Sequence, residues 1–360
     1  MSGQSEWNAV DVAAYARLIV APTDEAAREA RRRIDSLTKP VGSLGRIETL
    51  AIRLAAMTGR PAGKPIEAKA ILVAAGDHGV SAENVSAYPA SVTAQMITAY
   101  TRGVAAINAC ARAVRADLYV ADFGTIVAPA PHPSLLSFRV GPGTVNIARE
   151  SAMPPAHVDV ALGYGVAAFE RIASRGPYDA IALGEMGIAN TTSASAIIAA
   201  LLGVDVQHVV GRGTGIGDDR LQRKIAVVEG AVARCIGADW RAVARELGGY
   251  EIIGLAGVML AAARHRVPIV LDGFIVAAAA LLASRIAPAT LHYCIASHVS
   301  QEQGHPVVLS ALGLEPLLDL GLRLGEATGA ALALPLLEAA SRIMFEMETF
   351  AQAGVATSIE

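Results

Sequence analysis

Five times along the chain, a short apolar run ends in a polar cluster, and a helical span follows. The runs are Ala70–Ala75, Leu118–Phe123, Asp179–Leu183, Val267–Leu271 and Leu291–Ala296. Strands that are apolar on both faces belong in a sheet covered on both sides, and strand–helix alternation makes that sheet parallel with right-handed crossovers. This fold class, α/β with a parallel sheet flanked by helices, brings the carboxyl ends of all strands to one edge. The clusters at Asp77, Asp122, Glu185, Asp272 and Ser297 then collect where ligands bind in such sheets.

One of these transitions is richer than the rest. The stretch Ile181–Thr192 runs from an apolar strand through Glu185 between glycines into Asn190-Thr191-Thr192. A helix starting near Asn190 would aim free backbone N–H groups and hydroxyls at one point, which suits an anion. Glu185 beside it suits a cationic or neutral group. A ligand with an anionic end, such as a sugar phosphate carrying a base, fits both. A capped helix beside a solvated carboxylate fits the same residues.

Other motifs are less specific. Gly211–Asp219 alternates glycine at every second position and gives no GxGxxG register, nor the Lys-Ser/Thr of a P-loop. It reads as a backbone-exposing loop before a helix Leu221–Ile236, with Lys224 one turn in. Asp77 and His78 suit acid/base chemistry, metal binding or a turn closed by side chains. His298, Glu302 and His305 have metal-ligand chemistry at a spacing that matches no zinc motif. No GxSxG elbow is present. Glu315 before Pro316 suits a helix N-terminus. Glu326 lies between Gly325 and Gly329 in an apolar setting that would raise its pKa toward base duty; an exposed helical Glu is the alternative.

Composition narrows the partners. Aromatic residues make up 4% and the net charge is −3 without a basic block, which argues against nucleic acid. Cys110, Cys235 and Cys294 form no CxxC, as expected of a reduced, cytoplasmic protein. Met1–Val10 is polar and lacks the apolar core of a signal peptide. No apolar run reaches a clean membrane-spanning length of about 18–20 residues, so no membrane partner is expected. Val127–Pro155 reads as a long irregular loop. Lys39–Glu48 reads as a linker and helix start, with Lys39, Ser43 and Arg46 able to line a ligand entrance.

Seven segments occur in order: KPVGSLGRIE from Lys39, GDHGVSAENVSAYP from Gly76, LGEMGIANTT from Leu183, GRGTGIGDD from Gly211, LDGF from Leu271, SHVSQEQGH from Ser297, and LGLEPLLDLGLRLGEATGAALAL from Leu312. Together they closely resemble the nicotinate-nucleotide–dimethylbenzimidazole phosphoribosyltransferase family of cobalamin biosynthesis, over nearly the whole chain. The resemblance implies transfer of phosphoribose from nicotinate mononucleotide to 5,6-dimethylbenzimidazole, giving α-ribazole 5′-phosphate and nicotinate. It implies a large Rossmann-like domain over 65–311, a small helical domain built from 1–64 with 312–360, and a homodimer.

By position in the family motifs, Glu326 is the general base and Glu185 the partner near the ribose. The phosphate is expected on Gly187, Asn190, Thr191 and Thr192, with Ser300 and the Gly213 loop helping, and Lys224 and the Gly213 loop near the nicotinate or the phosphate. Ser86, Gln95, Leu324 and Gly325 are expected at the benzimidazole. No pyrophosphate leaves, so neither a metal nor another cofactor is expected. A non-catalytic nucleotide-binding regulator on the same fold is the alternative.

Overall fold

A computed structural model describes residues 11–356; the Met1–Val10 segment read above for a targeting signal lies outside them. Six strands form one sheet: β1 Lys69–Gly76, β2 Ala116–Gly124, β3 Leu135–Ser137, β4 Ala180–Met186, β5 Ile269–Leu271 and β6 Cys294–Ala296. Their order is β3-β2-β1-β4-β5-β6 and every pairing is parallel. Side chains along β1 and β4 are buried on both faces, as unbroken apolar runs require. The strand order reverses between β1 and β4, and ligands in open parallel sheets bind outside the carboxyl ends at such a point. Ala74 pairs with Glu185 there.

The expected pattern differs from this in three places. The loop 127–155 contains β3, a three-residue edge strand. β4 continues to Met186, so Glu185 is a strand residue and not a turn residue. The segment 313–327 contains no helix, and Glu315 is exposed and pairs with Arg46 at 3.1 Å instead of capping one. One helix also shifts: Asp218–Val232 begins before the expected Leu221 and ends before the expected Ile236.

The helix Tyr250–Arg264 packs on β1, β2 and β4, backed by Pro155–Ala173. The helix Thr328–Glu346 packs on β4 and β5 and against Arg46–Thr58. It is long and apolar enough by length and composition to cross a membrane, against the expectation that no run would be. Its apolar side is used internally: Ala330, Ala331, Leu334, Leu337 and Met344 are buried in the core. The two chain ends meet, since Arg33 Nε donates to Met344 O at 2.8 Å and Leu37 bridges Thr349. Lys39 is buried in an ion pair with Glu48 at 2.8 Å, which suits the linker reading better than an entrance.

Candidate active site

Glu185 ends β4 at the reversal point and is buried. Its Oε2 accepts a hydrogen bond from Asn190 Nδ2. Burial pushes its carboxyl up to about 8; the Asn190 amide opposes this, and Asp272, Glu251 and Glu326 add to it. Its proton is held by desolvation and by the like charge of those carboxyls.

Glu326 reaches the same place from the far end of the chain. Gly325, Glu326 and Ala327 have φ values of 81°, 61° and 64°. A left-handed conformation typically costs a non-glycine residue about 1–3 kcal/mol, and such residues gather at functional sites. The turn is held by Asp272, whose Oδ2 accepts from Ala327 N at 3.1 Å and Oδ1 from Ala330 N at 3.0 Å. Asp272 is thereby an N-terminal anchor for the helix Thr328–Glu346. A Cβ on Gly325 would stand 2.6 Å from Glu185 Oε1. The two glutamates are therefore neighbours, with the backbone of Gly325 between them. Burial raises the Glu326 carboxyl; the Tyr100 hydroxyl opposes this and Asp272 adds to it. Glu326 Oε2 and Tyr100 Oη are both buried without a hydrogen-bond partner.

The expected anion seat is arranged differently from a bare helix start. Asn190 N and Thr192 N already donate to Gly187 O and Ala189 O, at 3.1 and 3.0 Å. The Asn190 side chain turns back to Glu185. What remains is a cluster of side chains. Lys224 is fully buried, and its Nζ donates to Thr191 Oγ1 at 2.8 Å and Gly211 O at 3.0 Å. Burial lowers this ammonium to about 8, with Glu302 opposing. A Cβ on Gly213 would lie 2.9 Å from Thr191 Oγ1 and 3.4 Å from Lys224 Nζ, so the glycine loop is part of the same cluster. Thr192 Oγ1 is buried without a partner. Ser300 N donates to His305 Nδ1 at 2.8 Å.

The residues expected at the acceptor are more dispersed. Ser86 Oγ meets Thr214 Oγ1 at 3.3 Å, which joins the Gly76–Pro89 segment to the glycine loop. Gln95 and Leu324 are exposed. Gln95 shares its helix, Val92–Arg102, with the buried Thr93 and Tyr100. Thr93 Oγ1 accepts from Ile188 N at 3.2 Å and so ties that helix to the end of β4.

Not every strand-end cluster faces the site. Asp122 is consumed by Gly124 N, Thr125 and Arg139. Asp77 Oδ2 accepts from Ile126 N at 2.7 Å. Sequence reasoning missed Tyr100 and Glu251. Glu251 is fully buried against His78. Its signal was present: it is the only charged residue in the Tyr250–Arg264 helix before Arg264, and lone charges in apolar helices need partners. Among the described residues no group of His, Cys, Asp and Glu is arranged to hold a metal.

The raised Glu185 carboxyl has a consequence for stability. Its value is 4.5 when unperturbed and about 8 in the fold. Between these the folded state binds more protons than the unfolded one, so stability falls as pH rises through that window. The unliganded protein is expected to unfold at a lower temperature at pH 8 than at pH 5, and Glu185→Gln to flatten that difference. An undiminished difference in the variant excludes Glu185 as its source.

A family model described as "Phosphoribosyltransferase" matches residues 19–355. The nicotinate-nucleotide–dimethylbenzimidazole phosphoribosyltransferase of Chloroflexus aurantiacus is 50% identical over 338 residues, 93% of this chain and 96% of that protein. Its namesake from Thermus thermophilus is 49% identical, over 91% of this chain and 97% of that protein. The crystal structure of CobT from Thermus thermophilus superposes with a TM-score of 0.90 at 48% identity, covering 93% of this chain and all of that one. The conserved architecture and the near end-to-end identity lead to one conclusion: the chain belongs to the nicotinate-nucleotide–dimethylbenzimidazole phosphoribosyltransferase family.

Proposed function

We propose that the strand-end edge at the β1/β4 reversal transfers phosphoribose from nicotinate mononucleotide to 5,6-dimethylbenzimidazole, with inversion at the anomeric carbon. The observation that carries the reading is the pair of buried carboxyls, Glu185 and Glu326, on either side of Gly325. The donor's pyridinium nitrogen is already cationic, so nicotinate leaves without an acid. The attacking benzimidazole must lose its other N–H proton, and one general base is required. Glu326 takes that proton: burial raises its proton affinity, and its Oε2 is unpartnered. Glu185 faces the ribose, where an anion stabilises an oxocarbenium-like transition state. A pyridinium ribose arriving beside a carboxyl near 8 favours its ionised form, so donor binding releases a proton near neutral pH.

The phosphate rests on Lys224, Thr191, Thr192, Ser300 and the Gly213 loop, with Asn190 holding Glu185 instead. Ser86, Gln95 and Leu324 line the acceptor side. Lys224→Met is expected to raise KM for nicotinate mononucleotide by roughly 10–100-fold, the worth of one hydrogen bond to a charged group, with a smaller change in kcat. A variant with unaltered KM removes Lys224 from the phosphate seat. The division into 65–311 and 1–64 with 312–360 has a purpose in this reading, since Glu326 comes from the second part and Glu185 from the first. The active form is a cytoplasmic homodimer; sedimentation of the purified protein tests the dimer, and fractionation of expressing cells tests the compartment.

The deciding experiment mixes the protein with nicotinate mononucleotide and dimethylbenzimidazole and follows both products by chromatography. Stoichiometric nicotinate and α-ribazole 5′-phosphate are expected. Donor binding without nicotinate release assigns the protein to the regulator alternative.

A further inference from the structure

We propose that His78 and Glu251 are a buried hydrogen-bonded pair that positions the ends of β1 and β4 and limits the charge beside Glu185. The inference rests on the reading that Glu185 acts at the ribose. His78 Nε2 and Glu251 Oε1 are 2.6 Å apart, and their side chains are 1% and 0% exposed. His78 Nδ1 and Glu251 Oε2 have no partners. The carboxylate is wedged among backbone atoms that tolerate no side chain. A Cβ on Gly76 would lie 2.5 Å from Glu251 Oε2, and one on Gly249 2.7 Å from the same atom. A Cβ on Gly187 would lie 3.3 Å from Glu251 Oε1 and 3.2 Å from Asn190 Nδ2. Since that amide binds Glu185, Glu251 and the Asn190–Glu185 pair converge on one backbone position at the end of β4.

A buried carboxylate without a cation is strongly disfavoured. His78 is the basic group in contact with Glu251. Glu185 is faced by Glu251 from the helix Tyr250–Arg264, Asp272 from the end of β5 and Glu326 from the turn before Thr328–Glu346. Tyr100 faces it from Val92–Arg102, and His298 stands 3.9 Å from Asp272. Asp272 and Glu326 serve the strained turn and the acceptor. The Glu251 carboxyl is the one in this group that contacts a basic side chain, His78, so the pairing limits how much charge Glu251 adds beside Glu185. Both members act through Glu185 and are positioning residues.

The test measures the acid limb of kcat/KM against pH in three variants of the full chain. His78→Gln strands the Glu251 anion and is expected to move the limb up by about one pH unit. Glu251→Gln removes the anion and moves it down. The double variant follows Glu251→Gln, because the upward displacement needs a charged Glu251. Displacement of both single variants in the same direction, or of neither, overturns the proposal. Where His78→Gln fails to fold, urea unfolding of the double variant decides: removing both partners is milder than stranding one. A double variant no more stable than His78→Gln overturns the pairing. If the unsubstituted protein releases no nicotinate, the proposed reaction fails by itself, and the unfolding comparison still judges the pair.

Discussion

Glu326→Gln lowers kcat by roughly 10²–10⁴-fold, the usual contribution of one general base, and leaves KM for nicotinate mononucleotide within about twofold. The asymmetry follows from the geometry. The amide keeps the size and polarity of the carboxyl, so the turn from Gly325 to Ala327 still closes on Asp272 Oδ2. It cannot accept the benzimidazole proton. In the proposed reading the donor contacts fall to the Lys224 cluster and Glu185, which lie on other elements. Steady-state kinetics with quantified nicotinate checks the expectation. Turnover at the unsubstituted rate excludes Glu326 as the base, and a large rise in KM with little change in kcat recasts it as a donor contact.

Gly184→Ala has the second large effect, and it acts on the fold and the site together. A Cβ there would lie 2.0 Å from Ala327 N and 2.5 Å from Ala327 Cα. Both obstacles are backbone, so no rotamer change relieves them. Overpacking typically costs about 1–3 kcal/mol and occasionally more; a backbone contact this close belongs at the upper end, and relief requires the Glu326 turn to move away from β4. The expected result in urea denaturation is a large fall in midpoint, with loss of turnover in whatever remains folded. Gly230→Ala is the control. Nothing lies within 4 Å of its added Cβ, in the helix Asp218–Val232. That change should be neutral or stabilising by up to about 1 kcal/mol. Equal losses in both variants deny the close approach of β4 to the turn at Ala327.

The glutamates were legible from the chain for different reasons. Glu185 interrupts an apolar run at its end, and in a parallel sheet that end is the ligand edge. Glu326 sits between glycines in an otherwise apolar segment. Its conformation was not legible. The sequence around it reads as helix, whereas three successive residues take the left-handed region, stabilised by an aspartate 55 positions earlier. Such a contact leaves no local trace. The seat at Asn190 shows the same limit in reverse. The residues promised free N–H groups, and the turn before the helix used two of them through Gly187 O and Ala189 O.

The sequence by itself determined the parallel sheet and the chemistry at its carboxyl edge. Unbroken apolar runs demand cover on both faces, and their regular alternation with helices leaves few connections to choose from. Its seven ordered motifs were enough to mark the family. The three-residue β3 escaped because it is too short to show a period. Only the tertiary structure decided which carboxyls meet. Glu185, Glu251, Asp272 and Glu326 come from four separate elements, and their convergence raises the proton affinity of Glu185. Burial and like charge are properties of that meeting point, and no stretch of the chain carries them alone.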